Sequence, residues 1–498
     1  MRRAMPAGVR RAGPRVELAA ALCALAFAAG CKPAGPNYTR PDATAPAAYK
    51  ETGAGSVAAP QNPAGGAWRP ANPSDGMLKG KWWEIYQDQR LNSLEERVDS
   101  ANVELKQAME TYLAARDLVA VNRANLYPTV SGSIGANPEQ YSKNAPLFNK
   151  ANATIYNDLT LGAQASWEPD FWGRVRRSVE QARANAQASA AEAANISLTL
   201  HAELAADYFA LRGLDSESKL LTDTVADLEK QLALTETRLK GGVATEADVD
   251  QARTQLETVR AQLVDVGVAR SQYEHAVGTI ANYDLSQFSI PASPLEGELP
   301  KIPLGVPSQL LERRPDIAAA ERQAAAANAQ IGIAVSAFYP SVTLDGTAGF
   351  QSAHPGTWIQ GPSTFWTLGA QAAELLFDAG QRHALTDQAR HEYEAQADGY
   401  RNTVFAAFED VEDQLAALRI LEQESAVEQN AVTAAQRSFD VSNARYKGGV
   451  TSYLEVLTAE QTLLQDEVSA IGIESRQYAA SVGLVRSLGG GWDETQLP

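Results

Sequence analysis

Two spacings of apolar residues take turns along this chain. From Leu91 to about Asn125 they recur at helical spacing and stop at Tyr127-Pro128, where proline forces an extended backbone. After Pro128 the period becomes two: Val130, Gly132 and Ile134 face one way, Ser131, Ser133 and Gly135 the other, which predicts a strand. A polar, Asn-rich stretch from Ala136 to Asp158 reads as a loop. Leu159, Leu161, Ala163, Ala165 and Trp167 then alternate with Thr160, Gly162, Gln164 and Ser166, a second strand. Helical spacing returns from Arg174 to Leu239, 66 residues without proline, which as one helix would run about 99 Å. A shorter helix is expected to come back from Thr245 to Asn282.

The whole series then happens again. Leu161-Gly162-Ala163-Gln164-Ala165 returns 207 residues later as Leu368-Gly369-Ala370-Gln371-Ala372, and Lys240-Gly241-Gly242-Val243 returns at the same offset as Lys447-Gly448-Gly449-Val450. A repeat this long is a duplicated half rather than a solenoid unit. The second copy predicts a helix from Pro307 to Ala337, strands carrying Val342, Leu344 and Phe350 and then Trp366 and Leu368, a long helix from Gln381 to Tyr446, and a return helix from Ser452 to Leu488. In that long helix Tyr400, Val404, Phe408, Val411, Leu415 and Leu418 form a seam for lengthwise packing. Each return helix is too short to match its long partner, so Leu91 to Asn125 and Pro307 to Ala337 are expected to stack end to end with the return helices. The organisation expected is a first repeat over 81–282, a Pro-rich connector over 283–306, a second repeat over 307–488 and a tail over 489–498.

The fold class expected is mainly α with a small β part of four strands. A soluble sheet half-buried on a core would show the same alternation. Strands of nine or ten residues ending in Trp, on an exported chain, favour a membrane barrel. Four strands cannot close such a barrel, because open edges are not tolerated in lipid. Two chains would give a barrel filled by its own side chains, and three chains the smallest one with a passage.

Export is read from the start of the chain. Arg2, Arg3, Arg10, Arg11 and Arg15 precede an apolar run from Leu18 to Ala29, too short to span a bilayer and suited to a signal peptide over 1–30. Ala28-Ala29-Gly30-Cys31 resembles a bacterial lipobox, which makes Cys31 the expected lipidated amino terminus. Lys32 follows where Asp would suggest retention at the inner membrane. Residues 31–80, rich in Pro, Gly and Ala, read as an extended tether. The formal net charge of −17 falls to −21 once residues 1–30 are removed, which argues against nucleic acid as a partner. Arg174, Arg176 and Arg177, the densest basic group, read as a solvated or interface-pairing face.

No enzyme motif is present: the five histidines make no H-E-x-x-H, and P-loop, G-x-S-x-G and dinucleotide fingerprints are absent. No metal or cofactor is expected. The two glycine pairs, Gly241-Gly242 and Gly448-Gly449, suit the left-handed position that ends a helix. Thr245-x-x-Asp248 and Ser452-x-x-Glu455 read as capping boxes. Arg238, Lys240, Arg445 and Lys447 fall in last turns, where cations complement the helix dipole.

Taken together, Gly35-Pro36-Asn37-Tyr38-Thr39-Arg40-Pro41, Trp82-Trp83 with Asp88 and Leu91, Leu310-Leu311-Glu312-Arg313-Arg314-Pro315-Asp316-Ile317, Phe338-Tyr339-Pro340 and Arg445-Tyr446-Lys447-Gly448-Gly449-Val450 resemble the TolC family of outer-membrane efflux channels, in its lipoprotein branch. The resemblance implies a homotrimer with a twelve-stranded barrel in outer-membrane lipid and a long periplasmic α-helical barrel. It also implies tips that meet a periplasmic adaptor (membrane fusion) protein driven by an inner-membrane RND-type transporter. On it, Arg238, Lys240, Gly241, Gly242, Val243, Arg445, Lys447, Gly448, Gly449 and Val450 are the adaptor-contact tips. Glu455 stands where the family carries a gate aspartate, Thr458 stands at its second, and Asp248 is the equivalent in the first repeat. The function expected is passive exit duct of a tripartite efflux pump. A type I secretion channel and a lipid-anchored helical scaffold are the alternatives.

Overall fold

The computed structural model describes residues 32–46, 48–51, 80–140, 142, 144, 155–302, 310–492 and 494–497. The expected signal peptide, Cys31, most of the tether and the end of the connector lie outside the described residues.

The helices are α1 (Gln89–Ala101), α2 (Val103–Ala124), α3 (Arg174–Lys240), α4 (Glu246–Ile280), α5 (Pro315–Ser336), α6 (Gln381–Lys447) and α7 (Tyr453–Ser487). The strands are β1 (Thr129–Gln140), β2 (Ile155–Trp167), β3 (Ser341–Ser352) and β4 (Thr364–Ala373). The two long helices are 67 residues each and the two return helices 35 each, so the duplication is conserved in element length as well as in sequence. Among the described residues no helix is long and apolar enough to cross a membrane.

Three boundaries differ from expectation. Residues Ala136–Gln140 and Ile155–Asp158, expected in the loop, continue the ladder from Ala136↔Leu159 to Gln140↔Ile155. Their polarity hid the period, and Pro138 stands in the ladder opposite Asn157. The helix expected from Leu91 is two helices joined at Asn102. The helix expected from Pro307 likewise breaks at Arg314: a turn, Leu310–Arg313, ends there, and α5 starts with Pro315 at its first position.

The described residues fall into two compact units. The first takes the chain up to Arg40, Ala114–Ala186 and Gln323–Ala397. It holds one antiparallel sheet, ordered β1-β2-β3-β4. Where strands turn into helices, carboxylates organise the chain. Asp170 accepts from the Val175 and Arg176 amides at 3.0 and 2.9 Å, and Asp378 accepts from the Gly380 and Arg382 amides at 3.0 and 3.2 Å. Arg174 pairs with Glu168, Arg176 with Asp170, and Arg382 with Asp378. Arg177, 3% exposed, donates to the Ala34 carbonyl and the Asn37 side chain. Of the basic group read as a solvated or interface-pairing face, Arg177 is buried and all three arginines pair within the chain, while Arg174 and Arg176 stay partly exposed.

The second unit takes Pro41–Leu113, Gln187–Arg322 and Asp398–Pro498. One core cluster joins Trp82, Leu91, Leu94 and Val98 to Leu204, Tyr208 and Leu211 of α3, Val277 and Ile280 of α4, and Val482 and Val485 of α7. Another is the expected seam of α6, Tyr400, Val404, Phe408, Val411 and Leu415, closed by Leu484 and Ile317. Tyr49 is part of it, only 6% exposed, and the Lys50 and Glu51 amides donate to the Glu412 carboxylate at 2.7 and 3.1 Å. Residues 48–51 are thus held as a strap rather than an extended tether, because an apolar ring and two amides find matched partners on α6.

End-to-end stacking has a named joint in each half. Asn102, 6% exposed, accepts from the Leu105 amide at 2.9 Å to cap α2 and donates to the Ile280 carbonyl at the end of α4 at 2.8 Å. Arg314 plays the matching part, bonding Asp316 at the start of α5 and the Ser487 carbonyl at the end of α7. Each joint satisfies end groups that a broken helix would otherwise leave without partners.

Candidate functional site

Antiparallel partners point to the same side of a sheet, so the register fixes the faces. Val130 pairs with Ala165, Ile134 with Leu161, Leu161 with Phe350, Trp167 with Leu344, Ala348 with Trp366 and Gly346 with Leu368. Val130, Ile134, Leu159, Leu161, Trp167, Val342, Leu344, Phe350, Trp366 and Leu368 therefore share one face. Ser131, Ser133, Thr160, Gln164, Thr343, Asp345, Thr367 and Gln371 share the other. No Lys or Arg occurs in any of the four strands. Val130, Ile134, Trp366 and Leu368 are 74 to 77% exposed in the single chain. A soluble sheet would bury that face. Here the apolar side is bare on the outer strands β1 and β4, and among the described residues each of these strands leaves an edge unpaired, two defects that lipid and neighbouring copies of the sheet remove together.

The tips are built twice by one rule. The Gly242 amide donates to Leu239 and the Val243 amide to Arg238, while Gly449 donates to Tyr446 and Val450 to Arg445, all at 2.9 to 3.0 Å. This is the Schellman pattern, and Gly242 (φ 75°) and Gly449 (φ 73°) hold its left-handed position. Gly241 and Gly448, the first of each pair, are not left-handed. Val243 and Val450 end up 70 and 69% exposed at the ends of the hairpins, with Lys240, Arg445 and Lys447 exposed beside them. Arg238 differs from these cations. Its guanidinium lies 4.3 Å over the Tyr446 ring and donates to the Tyr446 carbonyl at 2.9 Å, so it locks the two hairpins together at their negative helix ends. Tyr446 in turn meets Tyr453 at 5.4 Å between ring centroids.

The two expected capping boxes come apart. Thr245 and Asp248 form a complete one, with Asp248 accepting from the Thr245 amide and hydroxyl at 2.8 Å each. Ser452 makes no side-chain cap bond, which corrects the second. Glu455 and Thr458 are exposed one turn apart on α7, on a groove of about 420 Å³ that Ala435, Ser438 and Ser442 of α6 line from the other side. Asp248 is thus engaged at a helix start, whereas Glu455 faces open space.

Sequence reasoning missed a buried polar pin. His201 is 4% exposed, stacked on Trp83 at 4.5 Å, with Nδ1 2.6 Å from Glu95 and Nε2 3.0 Å from Asp99. Burial disfavours its charge, but the bonds to Asp99 and Glu95 outweigh that and push its pKa up to about 9. Burial also pushes Glu95 up, with the His201 bond opposing. The partners lie about one hundred positions away in sequence, so no local spacing announces them. Among the described residues no group of three or more His, Cys, Asp or Glu could hold a metal ion.

Residues 94–282 and 306–490, one stretch in each repeat, match the family model described as outer membrane efflux protein. The toluene efflux pump outer membrane protein TtgC of Pseudomonas putida is 32% identical over 445 residues, 88% of this chain and 90% of the relative. The pyoverdine export outer membrane protein OpmQ of Pseudomonas aeruginosa is 29% identical over 85% of this chain and 90% of its own length. The solved MtrE outer membrane channel of Neisseria gonorrhoeae, in its open state, superposes with a TM-score of 0.79 at 26% identity, over 93% of this chain and 99% of that one. Mainly helical, with one small antiparallel sheet, the chain belongs to the outer membrane efflux protein family.

Proposed function

We propose that this channel works as the outer-membrane exit duct of a tripartite efflux pump, closing its barrel by trimerisation and passing cargo that an inner-membrane RND-type transporter and a periplasmic adaptor deliver. The observation that carries this is the sheet: an apolar face laid bare on its outer strands, a polar face without cations, and two open edges that three copies turn into a twelve-stranded barrel. Cargo is chosen upstream. Relatives 32% and 29% identical to this chain are named for toluene and for pyoverdine, which share little chemistry.

The exposed tips around Val243 and Val450, with Lys240, Arg445 and Lys447, are the adaptor-contact surface. Glu455, repeated three times around the axis with Thr458 one turn behind, forms the acidic constriction of the gate. The open state described for MtrE supports a tip that moves. Cys31 carries lipid, and the grip of Arg177 on residues 34–37 supports an anchor held against the sheet-bearing unit.

Light scattering of the purified mature protein and planar-bilayer conductance test the duct together. Three chains and a conducting pore are expected, with cation preference weakened in Glu455→Gln. A correctly folded monomer that never conducts overturns the reading. Loss of palmitate labelling in Cys31→Ser tests the anchor separately.

A further inference from the structure

Behind the gate groove, α7 presses a second carboxylate against α3. Glu460 is 6% exposed; its Oε1 accepts from Gln231 Nε2 at 2.9 Å, while Oε2 is buried with no hydrogen-bond partner. The Tyr446 hydroxyl, whose ring lies between Arg238 and Tyr453, is also buried without a partner. A seam that leaves two polar atoms unsatisfied is not at its best packing in this arrangement.

The groups facing Glu460 offer no compensation. On α3 these are Gln231 and Asp227, the latter a like charge that already holds Lys230, an exposed cation, at 2.8 Å. On α7 there is Tyr453, whose hydroxyl points to Gln231 Oε1 at 3.4 Å, with Tyr446 of α6 against its ring. From α4 comes Gln255, neutral and bonded to Gln461 at 2.7 Å. The arginines of this stretch are committed elsewhere: Arg238 to Tyr446, Arg253 to Glu236, and Arg260 to Glu229 and Glu257. An ionised carboxylate here would be a buried charge without a counterion, whereas the neutral acid fits.

We propose that Glu460 is a proton-operated latch on the gate: protonated, it lets α3 and α7 stay packed and the tip shut; ionised, it drives water into the seam and biases the tip to open. The proton passes to periplasmic water. The buried position, with Asp227 adding to it, pushes the acid up to about 7, so the latch turns over near neutrality. The inference rests on reading the tip as the gate, and the latch is a residue five positions past Glu455, turned toward α3 rather than set in the constriction.

Two readouts on the full-length trimer separate the latch from the duct. Spin labels at Thr237→Cys and Ala444→Cys, in chains diluted with unlabelled ones, measure the spacing of the two hairpins with no need of conduction. Planar-bilayer recording measures open probability. Between about pH 5.5 and 8.5 the wild type should widen and its open probability should rise about tenfold or more. Glu460→Gln, which keeps the shape and stays neutral, should hold the acid-side spacing and open probability throughout. Glu455→Gln should keep the wild-type midpoint. A wild type indifferent to pH, or a Glu460→Gln protein with an unchanged pH response, overturns the latch. A spacing change that follows Glu460 in a trimer that never conducts supports the latch and overturns the duct.

Discussion

Gly349 and Gly162 face each other across β2 and β3, and the packing there is tight enough to make one methyl group decisive. A Cβ at Gly349 would stand 2.2 Å from the Leu161 carbonyl oxygen and 2.7 Å from the Gly162 Cα, both backbone atoms that cannot swing aside. Contact distance is about 3.5 Å, so β3 would have to draw back by roughly 1 Å or more. Ladder hydrogen bonds near 2.9 Å do not survive that shift. Losing two of them costs about 1 kcal/mol each at the least and about 3 each where the groups stay dry, or about 2 to 6 kcal/mol per chain. Gly369, in β4 of the same sheet, has nothing within 4 Å of the corresponding position and serves as the control. Purified Gly349→Ala protein should lose its SDS-resistant trimer at a markedly lower temperature than wild type on unheated-to-heated gel series, while Gly369→Ala should match wild type. If Gly349→Ala trimers melt with the wild type, the sheet is not packed as described and the argument fails.

Leu368→Arg puts a charge on the apolar face and should cost about 2 to 4 kcal/mol if the site lies near the bilayer midplane, read as a drop in the membrane-inserted fraction, whereas Gln371→Arg on the polar face should insert normally. Gly242→Ala forces a side chain into a left-handed conformation with no clash to add, so it should cost about 1 to 2 kcal/mol at the tip, seen as faster amide exchange at Val243, with Gly241→Ala close to neutral. His201 and Glu95 both hold their protons more tightly in the folded chain, so the stability they contribute is complete in acid and is lost as pH rises through about 7 for Glu95 and about 9 for His201. The thermal midpoint should therefore fall from mildly acid pH, where Glu95 begins to lose its proton, to about pH 9, and His201→Gln should flatten the part above neutrality; an alkaline slope unchanged in the variant refutes the pin.

What the chain discloses in advance is whatever depends on period. The alternation of Leu159 to Trp167 needs only neighbours to be recognised, and so does the duplication that predicts β3 and β4 from β1 and β2. Polarity misled where the ladder runs on past the apolar band, as at Asn137 and Asn157, because strand pairing there is held by backbone bonds and not by a greasy face. The strap at Tyr49, the joints at Asn102 and Arg314, and the pin at His201 were hidden for another reason: each partner is remote in sequence and chosen by the fold. The candidate gate shows the limit most sharply. Thr245 with Asp248 and Ser452 with Glu455 carry the same motif at equivalent places, yet only the first closes into a box, so the letters permit the bond without requiring it.

The open edges of β1 and β4 also carry a genetic consequence. A chain that holds a third of a barrel has no partial activity to offer, and every working particle draws on three copies at once. A variant that still docks through one edge but ruins the other takes sound chains down with it, and in a cell making both kinds the intact fraction falls as the cube of the sound share. Edge lesions in this protein should therefore behave as dominant inhibitors of export, while lesions that prevent folding outright, and so never reach a neighbour, should be recessive.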